Sequence, residues 1–273
     1  MRRALRDPSF TIGALIVLIV VGAAVFAPAI APYEPTAANL RSRLAVPFSE
    51  THPLGADAIG RDILSRIIFG ARISLTVGLV SVAVAVVIGT LVGLVAGYFG
   101  GVIDAVLMRS ADIQLSFPFI LLAITVIAVV GPGLWKVILV MALTQWVQYA
   151  RIVRGQTLSL REMEYVHAAR GLGATHARIM FRHILLNALT PITVLATLGI
   201  ANNILLEAGL TFLGLGVDPT IPSWGGMLAD GRNYIERAWW VATFPGLAIT
   251  VTVLGFNLLG DWLRDRLDPR MRT

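Results

Sequence analysis

Long apolar runs separated by short charged stretches set the pattern of this chain. Positions 8–33, 73–103, 113–135, 137–150 and 238–260 carry no acidic or basic residue, and another such run spans 184–206. A helix of about 20 apolar residues crosses the ~30 Å hydrocarbon layer of a bilayer. Five of the runs meet that length. The run 137–150 does not, because its 14 residues rise only about 21 Å. It becomes long enough if Lys136 and Arg151 snorkel and Trp135, Ile152 and Val153 join the helix.

The basic residues test that extension. With six spans and the N-terminus inside, 14 of the 22 basic residues are cytoplasmic: Arg2, Arg3, Arg6, Arg109, six from Arg151 to Arg182 and four from Arg264 to Arg272. Removing the fourth span inverts everything after it and leaves six inside against 16 outside. Cytoplasmic loops carry the excess of Lys and Arg. The sequence therefore predicts an all-α polytopic membrane protein with six transmembrane helices and both termini cytoplasmic. A competing reading makes the first run a cleaved signal peptide ending at Ala29-Ile30-Ala31. That run is longer than an ordinary h-region, and its loss would leave the other five helices oriented as before.

Composition agrees: 56% of residues are hydrophobic, 14% are charged, and the mean hydropathy is +0.78. Soluble domains carry about 25% charge. The pI near 10.4 would suit nucleic acid, but the arginines are scattered between apolar runs instead of forming a solvated patch. Membrane lipid is the expected surrounding, with no nucleic-acid partner. The absence of Cys excludes disulfides, thiol catalysis and Cys-ligated metals, and no metal site is expected.

The chain divides into residues 1–72 (tail, first span, external amphipathic segment) and 73–273 (five further spans). A cytoplasmic loop is placed at 151–187 and an external loop at 207–237. The second span carries Ser81, Ala85, Gly89, Gly93 and Gly97 at spacing four, a face on which another helix backbone can come close. That helix belongs either to this chain or to a second membrane subunit. The segment 52–72 has Ile59, Ile63 and Ile67 at spacing four and acid-before-base pairs Asp57–Arg61 and Asp62–Arg66, which predicts an interfacial helix. Arg109 and Asp112 are expected to pair. Pro118, Pro191 and Pro245 lie within or beside spans, with Pro245-Gly246 the candidate flexible point.

The loop 151–187 is too charged to enter lipid, yet Leu160, Met163, Val166 and Ile179, Met180, Ile184 recur at helical spacing. Gly171-Leu172-Gly173 suits a sharp turn, and Thr175 can cap the second helix. A helix–turn–helix with Ala168 and Ala169 at its bend offers a shallow surface to a partner. Its H-A-A-R-G-L-G, with Leu185 twelve residues beyond Gly173, resembles the E-A-A-x3-G-x9-I-x-L-P loop of binding-protein-dependent ABC importer permeases. His167 stands in the Glu position, His183 in the Ile position, and Leu186 replaces Pro. Segments beginning at His52, Met108, Phe212 and Asn257 are similar to blocks of the same family, with Trp262 standing where Gly is expected. The resemblance covers essentially the whole chain and is closest to the "C"-type permease of dipeptide and oligopeptide importers, whose relatives also carry nickel or glutathione.

That resemblance implies a type I importer permease fold, and a cytoplasmic loop coupling transport to ATP through Glu164, His167, Ala168, Ala169, Arg170, Gly171, Gly173 and Ala174. It implies three kinds of company: a second homologous permease, two ATPase subunits or one fused tandem ATPase, and an extracytoplasmic substrate-binding protein. ATP and Mg would sit on the ATPases, with no cofactor on this chain. The only lysine, Lys136, lies between Trp135 and Val137, so no P-loop is present. Polar residues inside spans are candidates for the substrate pathway: Gln145 and Gln148 in the fourth, and Asn202, Asn203 and Glu207 near the end of the fifth. Helix–helix hydrogen bonding is the alternative. An intramembrane hydrolase is disfavoured because His52, His167, His176 and His183 fall outside the apolar cores, no H-E-x-x-H occurs, and no Ser precedes Gly. A stand-alone transporter would show repeats, and none is evident.

Overall fold

A computed structural model describes residues 7–267; Arg2, Arg3, Arg6, Arg270 and Arg272 of the topology argument lie outside the described residues. Asp7 opens α1 (Pro8–Val25) by accepting the Ser9 N–H at 3.0 Å, and Pro8 fills the first turn, where its missing N–H costs nothing. A short α2 (Ala27–Ile30) follows. Asp62 caps α3 (Ile63–Phe99) through the Ser65 N–H at 2.8 Å. Next come α4 (Gly101–Leu115), α5 (Phe119–Val130) and α6 (Leu134–Leu160). The loop after α6 holds α7 (Glu164–Gly171) and α8 (His176–Arg178), which continues through a π-helical turn, Ile179–Ile184, into α9 (Leu185–Phe212). α10 (Trp224–Gly231) and α11 (Trp240–Leu267) complete the described residues, which contain no β-strand.

Among these residues, α1, α3, the rod His176–Phe212 and α11 are each long and apolar enough to cross a membrane, and α4 with α5 makes a fifth, broken candidate. The run 113–135 is not one straight span. Its helix stops at Ser116, Pro118 starts a new one, and the two halves meet at 85°. Proline has no N–H to continue the α4 ladder, and the residue before it avoids helical angles. The run 137–150 is the apolar middle of the 27-residue α6, about 40 Å long. Pro191 and Pro245 interrupt neither α9 nor α11.

Other expectations need correction. α3 runs unbroken across position 72, so no boundary falls there. Residues 52–62 form tight turns, not a helix, with Gly55 and Gly60 at positive φ and a bridge between Ala56 and Asp62. Asp57 and Arg61 do pair, at 2.5 Å, but around a turn. Asp62 is occupied by its capping role and by His52 at 3.0 Å, so Arg66 reaches back to Asp57 instead. Asp112 bonds Arg151 at 2.6 Å, not Arg109. The connection after α9 begins at 213, since α9 carries 207–212.

The centre of the fold is the α3–α6 pair, which run in the same direction. Gly89 faces Trp146 and Tyr149, Gly93 faces Ala150 and Val153, and Gly97 faces Arg154 and Thr157. A side chain at Gly93 would collide with the Ala150 carbonyl oxygen. Ala85 packs with Tyr149, and the Ser81 hydroxyl accepts the Asn203 amide from α9 at 2.6 Å. The small-residue stripe is thus buried inside this chain. Of the two sources the spacing left open, the helix that faces Gly89, Gly93 and Gly97 is α6 of this chain. α1 lies against α11, with Gly13 beside Gly255, and the unexpected Trp262 stacks on Phe10 at 4.4 Å between ring centroids.

Candidate functional site

Two constructions carry chemistry beyond packing. The first is the loop between α6 and α9. α7 begins with Glu164, an acid favourable at the positive end of the helix, and ends in a hydrogen-bonding pattern that requires a left-handed residue. The Ala174 N–H bonds the Ala169 carbonyl at 3.1 Å and the Gly173 N–H bonds that of Arg170 at 3.0 Å. These two bonds define a Schellman cap. Gly173, at φ +79°, supplies the left-handed turn, and no side chain of Pro type can adopt it. Thr175 caps α8 by accepting the Arg178 N–H at 3.3 Å.

The loop is held rigidly to the spans. Val166 is fully buried among Leu94 and Tyr98 of α3, Val153 of α6, and Ile179, Met180 and Ile184. The Tyr98 hydroxyl meets His176 Nδ1 at 2.8 Å, and Arg161 donates to the Gly97 carbonyl at 2.8 Å. Tyr98→Phe keeps the ring and removes the first bond; it should lower thermal stability by about 1 kcal/mol, read from unfolding in detergent. Glu164, His167, Ala168, Arg170, Gly171 and Gly173 are exposed, with Ala169 and Ala174 half-buried behind them. Sequence reasoning missed Leu172. It lies at the cap between two glycines and is 90% exposed, which makes it the most exposed large apolar side chain of the described residues. A leucine inside a glycine turn was the available signal.

The second construction is a cavity of about 370 Å3 where the α4–α5 break faces α6 and α9. Gln145, Gln148 and Asn202 line it together with Gln114, Thr144, Phe117, Pro118 and Leu206. Gln145 is only 8% exposed, and its Nε2 has no hydrogen-bond partner. Gln114 is locked, donating to the Thr144 carbonyl and accepting from Trp146 Nε1, both at 2.8 Å. It was missed because its place depends on the helix break. Asn203 and Glu207 are elsewhere. Successive helical residues are 100° apart while i and i+4 share a face, so both point to α3. Asn203 donates to Ser81, and Glu207 accepts from Ser74 at 3.0 Å and Thr211 at 2.8 Å; both are fully buried. For these two, helix–helix bonding replaces the pathway assignment.

Outside the spans, the connection after α9 is ordered locally by Asp218, which accepts from the Thr220 N–H and hydroxyl; these bonds hold its carboxyl below the usual range.

Residues 89–273 match the family model of the binding-protein-dependent transport system inner membrane component. This chain belongs to that family. Residues 1–47 match the N-terminal transmembrane domain of oligopeptide transport permease C. The permease is 45% identical to the dipeptide transport system permease protein DppC of Alkalihalophilus pseudofirmus, over 96% of this chain and 86% of that one. It is 44% identical to the glutathione transport system permease protein GsiD of Pectobacterium atrosepticum, over 100% and 90%. Its fold is that of the inward-facing MetNI methionine ABC transporter, with a TM-score of 0.58 at 21% identity, covering 74% of this permease and 96% of that chain. The matched region 89–273 holds the α4–α5 break, the cavity and the loop between α6 and α9. The permease is a multi-pass membrane protein of the type I ABC importer fold, and its family is a transport component, not a catalytic one.

Proposed function

We propose that this chain is one of two permease subunits of an ATP-driven importer of dipeptides or oligopeptides. Substrate would arrive on an extracytoplasmic binding protein, and ATP with Mg would act on two ATPase subunits or a fused pair. The names of the relatives support the peptide cargo, with glutathione, itself a short peptide, as the variant carried by one of them. α6 serves as the fourth of six spans, between the bent α4–α5 pair and the cytoplasmic loop, and both termini are cytoplasmic. The basic residues of α7 and α8 support that orientation.

The observation that carries the coupling role is the capped loop itself. A helix that seats in an ATPase groove must be stiff, shallow at its bend and tied to the spans it moves. Ala168 and Ala169 give the shallow bend, Leu172 an apolar knob, and Tyr98, Val166 and Arg161 the ties. Burying a leucine contributes roughly 2 kcal/mol, so Leu172→Asp should weaken ATPase association by at least about thirtyfold. Ala169→Arg and Gly173→Pro should uncouple ATP hydrolysis from uptake while the permease still inserts. Vesicles containing the full transporter, assayed for peptide uptake and for ATPase stimulation by loaded binding protein, provide the test. Normal uptake by an Ala169→Arg permease present at normal level would refute the assignment.

A further inference from the structure

The polar cavity at the α4–α5 break has a lining unlike the rest of the molecule. Its residues include five bearing a carboxamide or hydroxyl, Gln114, Thr144, Gln145, Gln148 and Asn202, which suit neutral hydrogen bonding, and none is ionisable. Thr144 is satisfied by the Val140 carbonyl at 2.8 Å, and Gln114 by its two bonds to α6. Gln145 is not: more than nine-tenths buried, it keeps an unpartnered Nε2. Gln148 and Asn202 are exposed and make no side-chain hydrogen bond among the described residues. A buried donor without an acceptor is costly, and most such groups in folded proteins are satisfied. An isolated buried amide beside a cavity of small-molecule size therefore points to a ligand that brings an acceptor.

The chemistry of that ligand follows from the lining. A carboxamide offers one acceptor and two donors, which complement the C=O and N–H of another amide. A charged group gains nothing here, since no opposite charge faces it and leaving water is expensive. We infer that this cavity holds the main-chain amide of the passing solute through Gln145, Gln148 and Asn202, and is indifferent to the sign of the solute's side chains. This rests on the reading of the chain as a peptide-importing permease. It adds a site within the membrane that reads backbone and not sequence, so the permease side would impose no charge selectivity of its own.

The chain contains no Cys, so Asn202→Cys is a clean single-thiol probe in the assembled transporter. Labelling by a water-soluble thiol reagent should slow at least fivefold when ATP and peptide-loaded binding protein are cycling. No labelling, or labelling indifferent to turnover, would overturn the placement of the cavity on the pathway. Amide recognition is tested separately by comparing a dipeptide with its depsipeptide, in which an ester oxygen replaces the N–H. Expressed as variant over wild type at saturating loaded binding protein, Gln145→Leu should cut dipeptide uptake about tenfold and depsipeptide uptake about threefold, because the ester keeps the carbonyl that the Gln145 donor meets and lacks only the N–H. Gln148→Leu, on an exposed position that folding does not need, should show the same sign. Equal loss of both substrates, with Asn202→Cys still responsive, would overturn backbone recognition and leave the pathway reading standing. Finally, Gln145→Glu should favour lysine-bearing over glutamate-bearing peptides, whereas the unmodified permease should show the same intrinsic rate for both within about twofold.

Discussion

Gly93→Leu should leave almost no folded permease in the membrane. At this position α3 and α6 are in backbone contact. A Cβ would strike the Ala150 carbonyl oxygen and would lie 2.9 Å from the Val153 Cβ and 3.0 Å from the Arg154 nitrogen. None of these atoms is the far end of a flexible side chain, so none can swing aside. In lipid there is no water to repair a parted interface, and close approach of small residues is what holds such helices together. Overpacking a tight core costs about 1–3 kcal/mol even where side chains can adjust; here the helices themselves must separate, and the expected loss is at or above the upper end. The consequence spreads, because the same interface buries Leu94, Tyr98 and Val153 beneath the loop that carries α7. Thermal unfolding of purified permease, alongside its steady-state level in membranes, measures the effect. Gly171→Ala, where an added Cβ meets nothing within 4 Å, is the control and should be nearly silent. A Gly93→Leu permease of normal level and stability would mean that α3 and α6 do not pack as described.

How much of this was legible beforehand depends on the range of the interaction. Local signals held: Thr175 caps α8, the glycine turn forms at 171–173, and the stripe from Ser81 to Gly97 is a close-packing face. The identity of the facing helix was not legible. Spacing says that a backbone comes near, whereas the choice of α6 is made by tertiary packing. The same limit separated Asn202 from Asn203. Neighbours in sequence lie 100° apart on a helix, so one faces the cavity and the other Ser81. Charge-free length also misled at 113–135, since it counts residues but not the break that Pro118 imposes. That break creates the cavity and brings Gln114 to it. Leu172 was passed over because the glycines on either side were read only as a turn; its exposure is what marks it. In the segment 52–62, spacing of four suggested a helix, but the carboxylates of Asp57 and Asp62 are used to close turns and to cap α3.

Asp57→Ala should destabilise the permease by about 3–5 kcal/mol, the cost of removing one partner from a buried ion pair. Asp57 is 1% exposed and Arg66 3%. One Asp57 oxygen accepts the Ile59 and Arg61 N–H groups at 3.0 and 2.9 Å; the other accepts Arg61 Nε and Arg66 Nη1, each at 2.5 Å. Removing the carboxylate therefore opens the turn and leaves a buried guanidinium at the outer end of α3 with only Asp230, 3.3 Å away, to balance it. Arg66 Nε already lacks a partner, so the guanidinium has no spare bonds to fall back on. Because the pair is buried, added salt should change the deficit little. Asp57→Ala combined with Arg66→Met should recover part of the loss, since taking away both charges removes the unpaired one that makes the single change severe. The four proteins of that double-mutant cycle, unfolded by heat in the same detergent, give the coupling directly. If the double change costs as much as the sum of the single ones, the two side chains act independently. In that case the segment before α3 is held by its own turns and by Trp240 of α11, which donates to the Ala56 carbonyl, and not by the buried charges.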